Sequence, residues 1–529
     1  MHRALEDYDI LAHVFGQFEP TTSRNDRVAL VQLARVSRAF SHHALNFLWR
    51  RLTDLVPALS IISSFEAVTP AFDPDPDDEN AYIDDEIEGD AYYLTDVISP
   101  NDLERFQQYA SRVRILSFSS GKSWASRASV LSCVTTFSRG PLFPALQELD
   151  WSQSSPSDIT ILSLLTPTLT RLSLDHVSGT LRGNVWSTEH RGFTTILHAI
   201  STNIPCIQEL NIQTKCSPSV LLRLVRPGHL RKVNLYPSEM DRKLYQSLSA
   251  SKTLVEMDIR LFVNENVTFM HGFSVLRKLD IAGRLPDITR FVAAITSPTF
   301  HSITVWDYQS NSDIRDLHLF FALLRHKFKT SLRHVTCGTK VIGAQALPLL
   351  DLMRPLMDLF ALEGVTLNSL TPFRASSSDF VQLATAWPSI RTLQICYDSA
   401  EADAAPHVSV LQVVARLCPS LLVLTLPSLD FAPPYHRTLG LAGRNDDGVM
   451  PIQPHGLREL NVGFYPRRPV EDPGGVARFI VTLFPDLARA FLSARAPQGT
   501  EPDRHAWGKL IESLRALQTE RRLQQVTLQ

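Results

Sequence analysis

Apolar residues recur at helical spacing in two runs near the start of the chain. The first run is Ile10, Leu11, Val14, Phe15 and Phe18, and the second is Ala44, Leu45, Leu48, Trp49 and Leu52. Each run forms one apolar stripe on a helix. Between them, Asn25 or Asp26 can cap a third helix. That helix carries Leu30, Leu33 and Ala34. Because three short helices bury too little surface to be stable alone, their apolar residues must face either the rest of the chain or a partner.

A second pattern begins at about residue 113, where the six-residue unit apolar-x-x-apolar-x-apolar starts to repeat. The unit begins at Leu146, Leu169, Ile207, Leu230, Leu254, Leu276, Phe300, Leu332, Ile390, Leu421, Leu457 and Leu523, more weakly at Val113 and Leu356, and again near Leu487. Among the regular middle copies the step is 22–24 residues. Such a step predicts a solenoid whose first, fourth and sixth positions point into a core. The other positions would line a parallel sheet on the concave face, and helices between copies would form the convex side.

Charged residues at the third position of six consecutive units alternate in sign. They are Glu148, Arg171, Glu209, Lys232, Glu256 and Lys278. In a parallel stack, equivalent positions lie about 4.8 Å apart, so opposite charges there attract and favour this register. These six residues are the candidates for facing a substrate. The alternative, which the pattern favours, is that their charges satisfy one another and bind no ligand.

A segment of different composition lies between the two patterns. Residues 53–72 predict one more helix, and residues 73–90 hold an acidic tract. Because like charges repel and prolines break regular structure, the tract is predicted to be a disordered linker. Alternatively, it is a tether that folds back on the rest of the chain, since residues 1–110 carry a net charge of −12 and the remainder +10.

Together the patterns predict an α/β fold in three parts. A helical domain spans residues 1–60, a linker with the acidic tract spans 61–110, and an irregular repeat solenoid with a C-terminal cap spans 111–529. The cap would be an amphipathic helix carrying Trp507, Leu510, Ile511, Leu514 and Leu517. A last strand at 523–528 would follow it.

Three motifs in the first domain occur in a fixed order. They are ILAHVF at residues 10–15, LARVSRAF at 33–40 and FLWRRL at 47–52. This order resembles an F-box, in particular that of the F-box proteins abundant in mushroom-forming fungi, and the units after it resemble leucine-rich repeats. Two places differ from the family. Asp7-Tyr8-Asp9 stands where Leu-Pro is usual, and Phe40 stands where many members have Trp.

The resemblance implies a function in ubiquitin ligation. An F-box docks on a Skp-type adaptor and through it on a cullin, and the repeats would present an unknown protein substrate to the ligase. The residues that would form or support the adaptor contact are Ile10, Leu11, Val14, Phe15, Leu33, Val36, Phe40, Leu48 and Trp49. The alternative is an F-box and leucine-rich-repeat interaction scaffold with no ligase role.

Composition argues against several other classes of protein. A formal net charge of −2 is unlike that of a general nucleic-acid binder. No apolar run reaches membrane-spanning length, and the first residues lack the pattern of a signal peptide. The six cysteines are scattered without a CxxC pair, which indicates reduced thiols in the cytosol or nucleus.

One short motif suggests chemistry of its own. Gly121-Lys122-Ser123 follows a strand-like run as in a phosphate loop, but Leu116 occupies the position where that motif needs a glycine. A nucleotide-dependent enzyme is therefore only an alternative, and HExxH, GxSxG and GxGxxG are absent. We expect a binding protein and not an enzyme, with no catalytic residue, metal or cofactor.

Overall fold

The structure is a computed structural model that describes most of the chain. The described residues are 8–20, 23–68, 91–119, 124–138, 140–153, 159–176, 186–204, 206–225, 228–236, 238–261, 268–307, 313–339, 347–398, 405–427, 429–432, 455–463, 470–487, 489–493 and 501–528. The acidic tract at 73–90 and the Gly121-Lys122-Ser123 motif lie outside them. The chain divides into two compact units, residues 1–260 and residues 261–529.

The first unit joins three short helices to a parallel sheet. Its helices are α1 (Tyr8–Phe15), α2 (Arg24–Leu33), α3 (Arg38–Arg50), α4 (Val56–Leu59), α5 (Pro100–Ala110), α6 (Trp124–Phe137), α7 (Trp186–Asn203), α8 (Pro218–Leu224) and α9 (Arg242–Ser249). Its strands are β1 (Arg51–Leu52), β2 (Phe65–Val68), β3 (Ala91–Leu94), β4 (Ile115–Ser119), β5 (Glu148–Gln153), β6 (Arg171–His176), β7 (Glu209–Ile212), β8 (Lys232–Asn234) and β9 (Glu256–Leu261). Strand β1 and strands β4 to β9 pair in chain order, all parallel, while β2 and β3 form a separate antiparallel pair.

The second unit continues the same alternation of strand and helix. Its strands are β10 (Lys278–Gly283), β11 (Ser302–Asp307), β12 (His334–Thr339), β13 (Leu347–Pro348), β14 (Gly364–Arg374), β15 (Thr392–Asp398), β16 (Val423–Leu426), β17 (Glu459–Gly463) and β18 (Arg489–Ser493). Its helices are α10 (Leu285–Ala294), α11 (Ile314–Phe328), α12 (Leu349–Met357), α13 (Ser377–Ala386), α14 (Val410–Leu417), α15 (Pro473–Leu483) and α16 (Glu501–Leu528). The strands pair in parallel and in chain order, except that β13 pairs with the end of β14.

The apolar positions of the repeat unit explain this architecture. In the copy that begins at Leu276, the first, fourth and sixth residues (Leu276, Leu279 and Ile281) are all fully buried. Because side chains alternate across a strand, the residues between them lie on the opposite face. Parallel neighbours require a crossover segment, and helices such as α10 and α11 supply it. The predicted α/β fold, with N-terminal helices followed by a leucine-rich-repeat-like parallel sheet, is confirmed.

Two of the predicted repeat copies are wrong, and one weak indication is right. Leu356 lies in α12, where apolar residues recur at helical spacing, and the true copy begins six residues later at Leu362. Residues 523–528 continue α16 instead of forming a strand, since residues 509–528 contain no proline or glycine that would end the helix. The copy near Leu487 exists, because β18 pairs with β17 in register.

The segment after α3 also differs from its prediction. The described part of residues 53–72 forms only the single turn α4 and the strand β2, not one helix. Phe65 in β2 stacks on Tyr92 in β3, with ring centroids 5.6 Å apart. Residues that were predicted to continue a helix therefore form a strand pair instead. Leu52 leaves the apolar stripe of α3 and enters β1 opposite Leu116. The predicted linker 61–110 therefore contains regular structure among its described residues.

All six cysteines lie among the described residues as free thiols. Burial raises the pKa of Cys216, Cys337 and Cys418 to about 12, so these thiols stay protonated and pack as small apolar groups. Within the described ranges, no helix combines the length and the hydropathy that crossing a bilayer requires.

Candidate functional site

The three N-terminal helices enclose a small core of their own. Leu11, Phe15, Leu30 and Ala44 are buried there, and Phe40 meets Phe15 edge to face at 5.6 Å. The capping differs from the prediction. The hydroxyl of Ser23, not Asn25 or Asp26, caps α2 by accepting the backbone N–H of Asp26 at 3.2 Å.

Helix α1 carries two adjacent apolar rows with different environments. Leu11 and Phe15, four residues apart, face the core and are each 1% exposed. Ile10 and Val14, also four residues apart, lie one position earlier and are 44% and 49% exposed. Because neighbouring residues of a helix differ by about 100° in direction, the second row faces outward beside the first. Ile10 and Val14 are therefore partly exposed on the outer side of α1, whereas Leu11 and Phe15 belong to its buried side.

Helix α2 and the turn after it add three more exposed apolar side chains. Val28 is 48% exposed, Val31 is 50% exposed and Val36 is 59% exposed. Leu30 is buried, and Leu33 packs against the core on the same helix. Val28 and Val31 were not among the contact residues predicted from the sequence. The signal that could have found them is their i, i+3 spacing, which places both on one side of the helix, away from Leu30.

The remaining predicted residues join the helices to their surroundings. Phe40 and Leu48 are partly buried against the three-helix core. Trp49 is half-buried and packs instead on Tyr109 of α5, with ring centroids 4.9 Å apart. The backbone carbonyl of Arg50 accepts the N–H of Arg114 at 2.8 Å, where β1 begins to pair with β4. Helix α3 is thus attached on one side to the three-helix core and on the other to the repeats.

A buried histidine completes the packing between α1 and α3. The ring of His43 lies 4.4 Å from that of Tyr8 and 6.0 Å from that of Phe15. Burial, and to a lesser degree the neighbouring His42, lowers the pKa of His43, so it is neutral in the core. In the part of the chain that the structure describes, no group of three or more His, Cys, Asp or Glu could hold a metal ion.

The six alternating charges lie at the start of consecutive strands, and five of them form a ladder in the first unit. Register places Glu148 beside Arg171, Arg171 beside Glu209, Glu209 beside Lys232, and Lys232 beside Glu256. The guanidinium of Arg171 bridges both glutamates, at 3.0 Å from Glu148 and 3.1 Å from Glu209. Lys232 pairs with Glu256 at 3.2 Å. The ladder neutralises its own charges, so it offers a partner little net charge.

The sixth residue, Lys278, begins β10, the first strand of the second unit. The same face of the sheet there carries a partly buried carboxylate, Asp280, and an aromatic ring, Trp306. Burial raises the pKa of Asp280, and the nearby charge of Lys278 and a hydrogen bond from Trp306 oppose this rise only in part. The half-buried Trp306 ring lies over Gly338 on the next strand, where a Cβ would overlap the ring. The sequence could not single out Trp306, because the place of its ring requires a glycine 32 residues away.

Comparisons with known proteins carry no argument about the family or the function of this chain. No family model matches the sequence, and no curated protein matches it. A solved structure titled "Crystal structure of Rad7 and Elc1 complex in yeast" is similar over 61% of this chain and 72% of that chain. The two chains share 12% identity and superpose with a TM-score of 0.30. The assignment to a repeat fold therefore rests on the strands and their register, not on this likeness.

Proposed function

We propose that the chain is the substrate-recognition subunit of a Skp–cullin–F-box type ubiquitin ligase. The three helices bind a Skp-type adaptor, and the repeat array binds an unknown target protein. The observation that carries this proposal is the distribution of exposed apolar side chains. Of the 13 large hydrophobic residues that are exposed among the described residues, six lie between Tyr8 and Val36. Such a concentration in one short segment is typical of an interaction site.

Charged residues around these side chains suggest the chemistry of the partner. Arg27, Arg35 and Arg38 are exposed, and the first two directly precede Val28 and Val36. An apolar contact surrounded by polar residues is the usual anatomy of a protein interface. A partner with apolar residues inside an acidic rim would fit, because opposite charges speed and orient docking.

The attachment of the helices to the sheet gives the proposal its mechanism. Strand β1 follows α3 without a break and pairs with β4, while Trp49 packs on Tyr109. An adaptor on α1 and α2 would therefore be held in a fixed relation to a target bound on the strands of the same unit. The chain would act by raising the effective concentration of a target lysine near the conjugating enzyme carried by the cullin. In this proposal it binds and does not itself catalyse a reaction.

Titration of the full chain with a purified Skp-type adaptor tests the proposal. A double variant, Val14→Glu with Val31→Glu, should weaken binding about 100-fold or more, because it buries two charges in an apolar contact. The control is Leu319→Glu, which changes a more exposed apolar residue on α11, 63% exposed, and should bind like the wild type. A folded wild-type chain that does not bind the adaptor contradicts the proposal.

The alternative is an interaction scaffold without a ligase role. The observation in its favour is Tyr8, which lies where the F-box family usually has Leu-Pro. This residue is 59% exposed and its ring packs on His43, so the start of α1 is built differently from the family pattern. Failure of adaptor binding, with the array still folded, favours the scaffold.

A further inference from the structure

A cleft of about 510 Å³ opens in the first unit between α3 and the segment that leads into β4. Its volume lies within the usual range for small-ligand sites. Three of its nine lining residues are arginines, namely Arg50, Arg112 and Arg114. None of the nine is an aspartate or a glutamate. The cleft therefore concentrates positive charge without a carboxylate in its wall.

Two of these guanidinium groups are held in place by neutral acceptors. Arg112 donates from Nη1 to the side-chain oxygen of Asn46 and to the backbone carbonyl of His42, the latter at 3.3 Å. Arg114 donates from Nη1 to the backbone carbonyl of Ala145 at 3.1 Å. Both side chains are partly buried. Amide and carbonyl oxygens fix the orientation of a guanidinium but carry no net charge to neutralise it.

Arg171 in the charge ladder is an arginine of the same unit whose charge is balanced by carboxylates. Arg171 has a carboxylate on each side, at 3.0 Å and 3.1 Å. Neither Arg112 nor Arg114 forms a salt bridge with any described residue, although each is less accessible than a surface side chain. A partly buried cation without a counter-charge favours an anion from outside the chain.

The other groups at the cleft indicate which anion fits. Arg50 is exposed at the end of α3, and Tyr8 and Gln147 place a phenol and an amide in the wall. The planar guanidinium presents several N–H donors that match the oxygens of a phosphate group. We propose that this cleft binds a phosphate-bearing ligand, with Arg112 and Arg114 as its fixed donors and Arg50 as a third. The site joins α3 to the start of the sheet and shares Tyr8 with the exposed apolar side chains of the N-terminal helices, whereas Ile10, Val14 and the exposed valines of α2 do not line it.

Isothermal titration of the full chain with two probes tests this site. The probes are inorganic phosphate and a phosphoserine peptide, with the unphosphorylated peptide as a blank. We expect the wild type to bind at least one phosphorylated probe, and Arg112→Gln with Arg114→Gln to weaken binding by about tenfold or more. Binding of phosphate as tight as that of the peptide assigns the site to a free phosphate compound. Binding of the peptide at least about tenfold tighter assigns it to a phosphorylated protein.

Two further variants keep the test decisive. Arg333→Gln is the matched control, because Arg333 makes the same kind of bond, from Nη1 to the carbonyl of Ala361 at 3.0 Å, but does not line the cleft. It should leave the affinity unchanged. Arg50→Gln alters an exposed side chain that packing does not require, so it should fold normally and weaken binding by a smaller factor. The proposal is overturned if neither probe binds the folded wild type, or if Arg50→Gln and the double variant both bind as tightly as the wild type.

Discussion

The repeat strands and the N-terminal helices use apolar residues in opposite ways. In the copies from Leu146 to Leu457, including the one at Leu362, the first, fourth and sixth positions are at most 7% exposed. Between Tyr8 and Val36, by contrast, six large hydrophobic residues are 44% exposed or more. A strand in the array is covered by helices and by the next repeat, whereas no described residue covers the outward rows of α1 and α2 to the same degree. The comparison shows where the chain completes its own core and where large apolar side chains stay exposed.

The largest effect should come from the covered region. Leu279→Ala removes a fully buried side chain from β10 and should lower the free energy of unfolding by about 2–5 kcal/mol. Leu319→Ala, on an exposed side chain, should change it by less than about 0.5 kcal/mol. Thermal and urea denaturation of both variants would measure this. Equal losses would mean that exposure does not separate core from surface here.

A sharper version of the same comparison uses two residues on one helix. Leu11→Ala should lower the stability of the three-helix segment by about 2–3 kcal/mol, because Leu11 is 1% exposed. Val14→Ala, three residues later and 49% exposed, should change it by less than about 0.5 kcal/mol. Amide hydrogen exchange of α1 to α3 would report both changes. Comparable loss of protection in the two variants would place Val14 in the core and contradict the outward row.

The charge ladder should contribute a smaller amount. Arg171→Met removes two ion pairs and leaves Glu148 and Glu209 without their partner, so we expect a loss of roughly 0.5–1 kcal/mol at low salt. Added salt should reduce the difference, since exposed pairs are screened. Arg315→Met is the control, because its pair with Asp313 spans 3.9 Å and the arginine side chain is 88% exposed. A salt-independent loss would point to packing instead of charge.

The smallest predicted effect concerns pH and His43. Its pKa is lowered from the ordinary value of 6.5 by burial and by His42, so the unfolded chain binds this proton more readily than the folded chain. The neutral His43 therefore contributes its full stability above about pH 6.5, and this contribution falls as the pH drops below that value. His43→Gln should flatten the decline in melting temperature of the three-helix segment on acidification. An unchanged slope would exclude His43 as a cause.

Local spacing was enough to predict the repeats and the three helices, because strands and helices each impose a period on their apolar residues. The alternating charges also predicted the register of β5 to β9 correctly. The spacing of apolar residues predicted the wrong element where it fits both a repeat strand and a helix. Leu356 satisfied the repeat pattern but belongs to the apolar face of α12, and residues 523–528 did so within a continuing helix.

The candidate surfaces were harder to predict, since they depend on which side of an element is covered. Nothing local distinguishes Leu11 from Val14, yet one is buried and the other half-exposed. Arg50, Arg112 and Arg114 are more than 60 residues apart at the extremes and meet only because β1 pairs with β4. Trp49 was expected to form or support the adaptor contact, and its packing on Tyr109 follows from the same pairing.

The heat capacity change on adaptor binding tests most directly whether the exposed apolar side chains of α1 and α2 are the contact. Titration calorimetry at several temperatures would measure it, because burial of apolar surface gives a negative heat capacity change. For the wild type we predict a clearly negative value that becomes smaller in magnitude in Ile10→Ser with Val14→Ser. No binding by the folded chain, or a value that the double substitution leaves unchanged, would contradict the account.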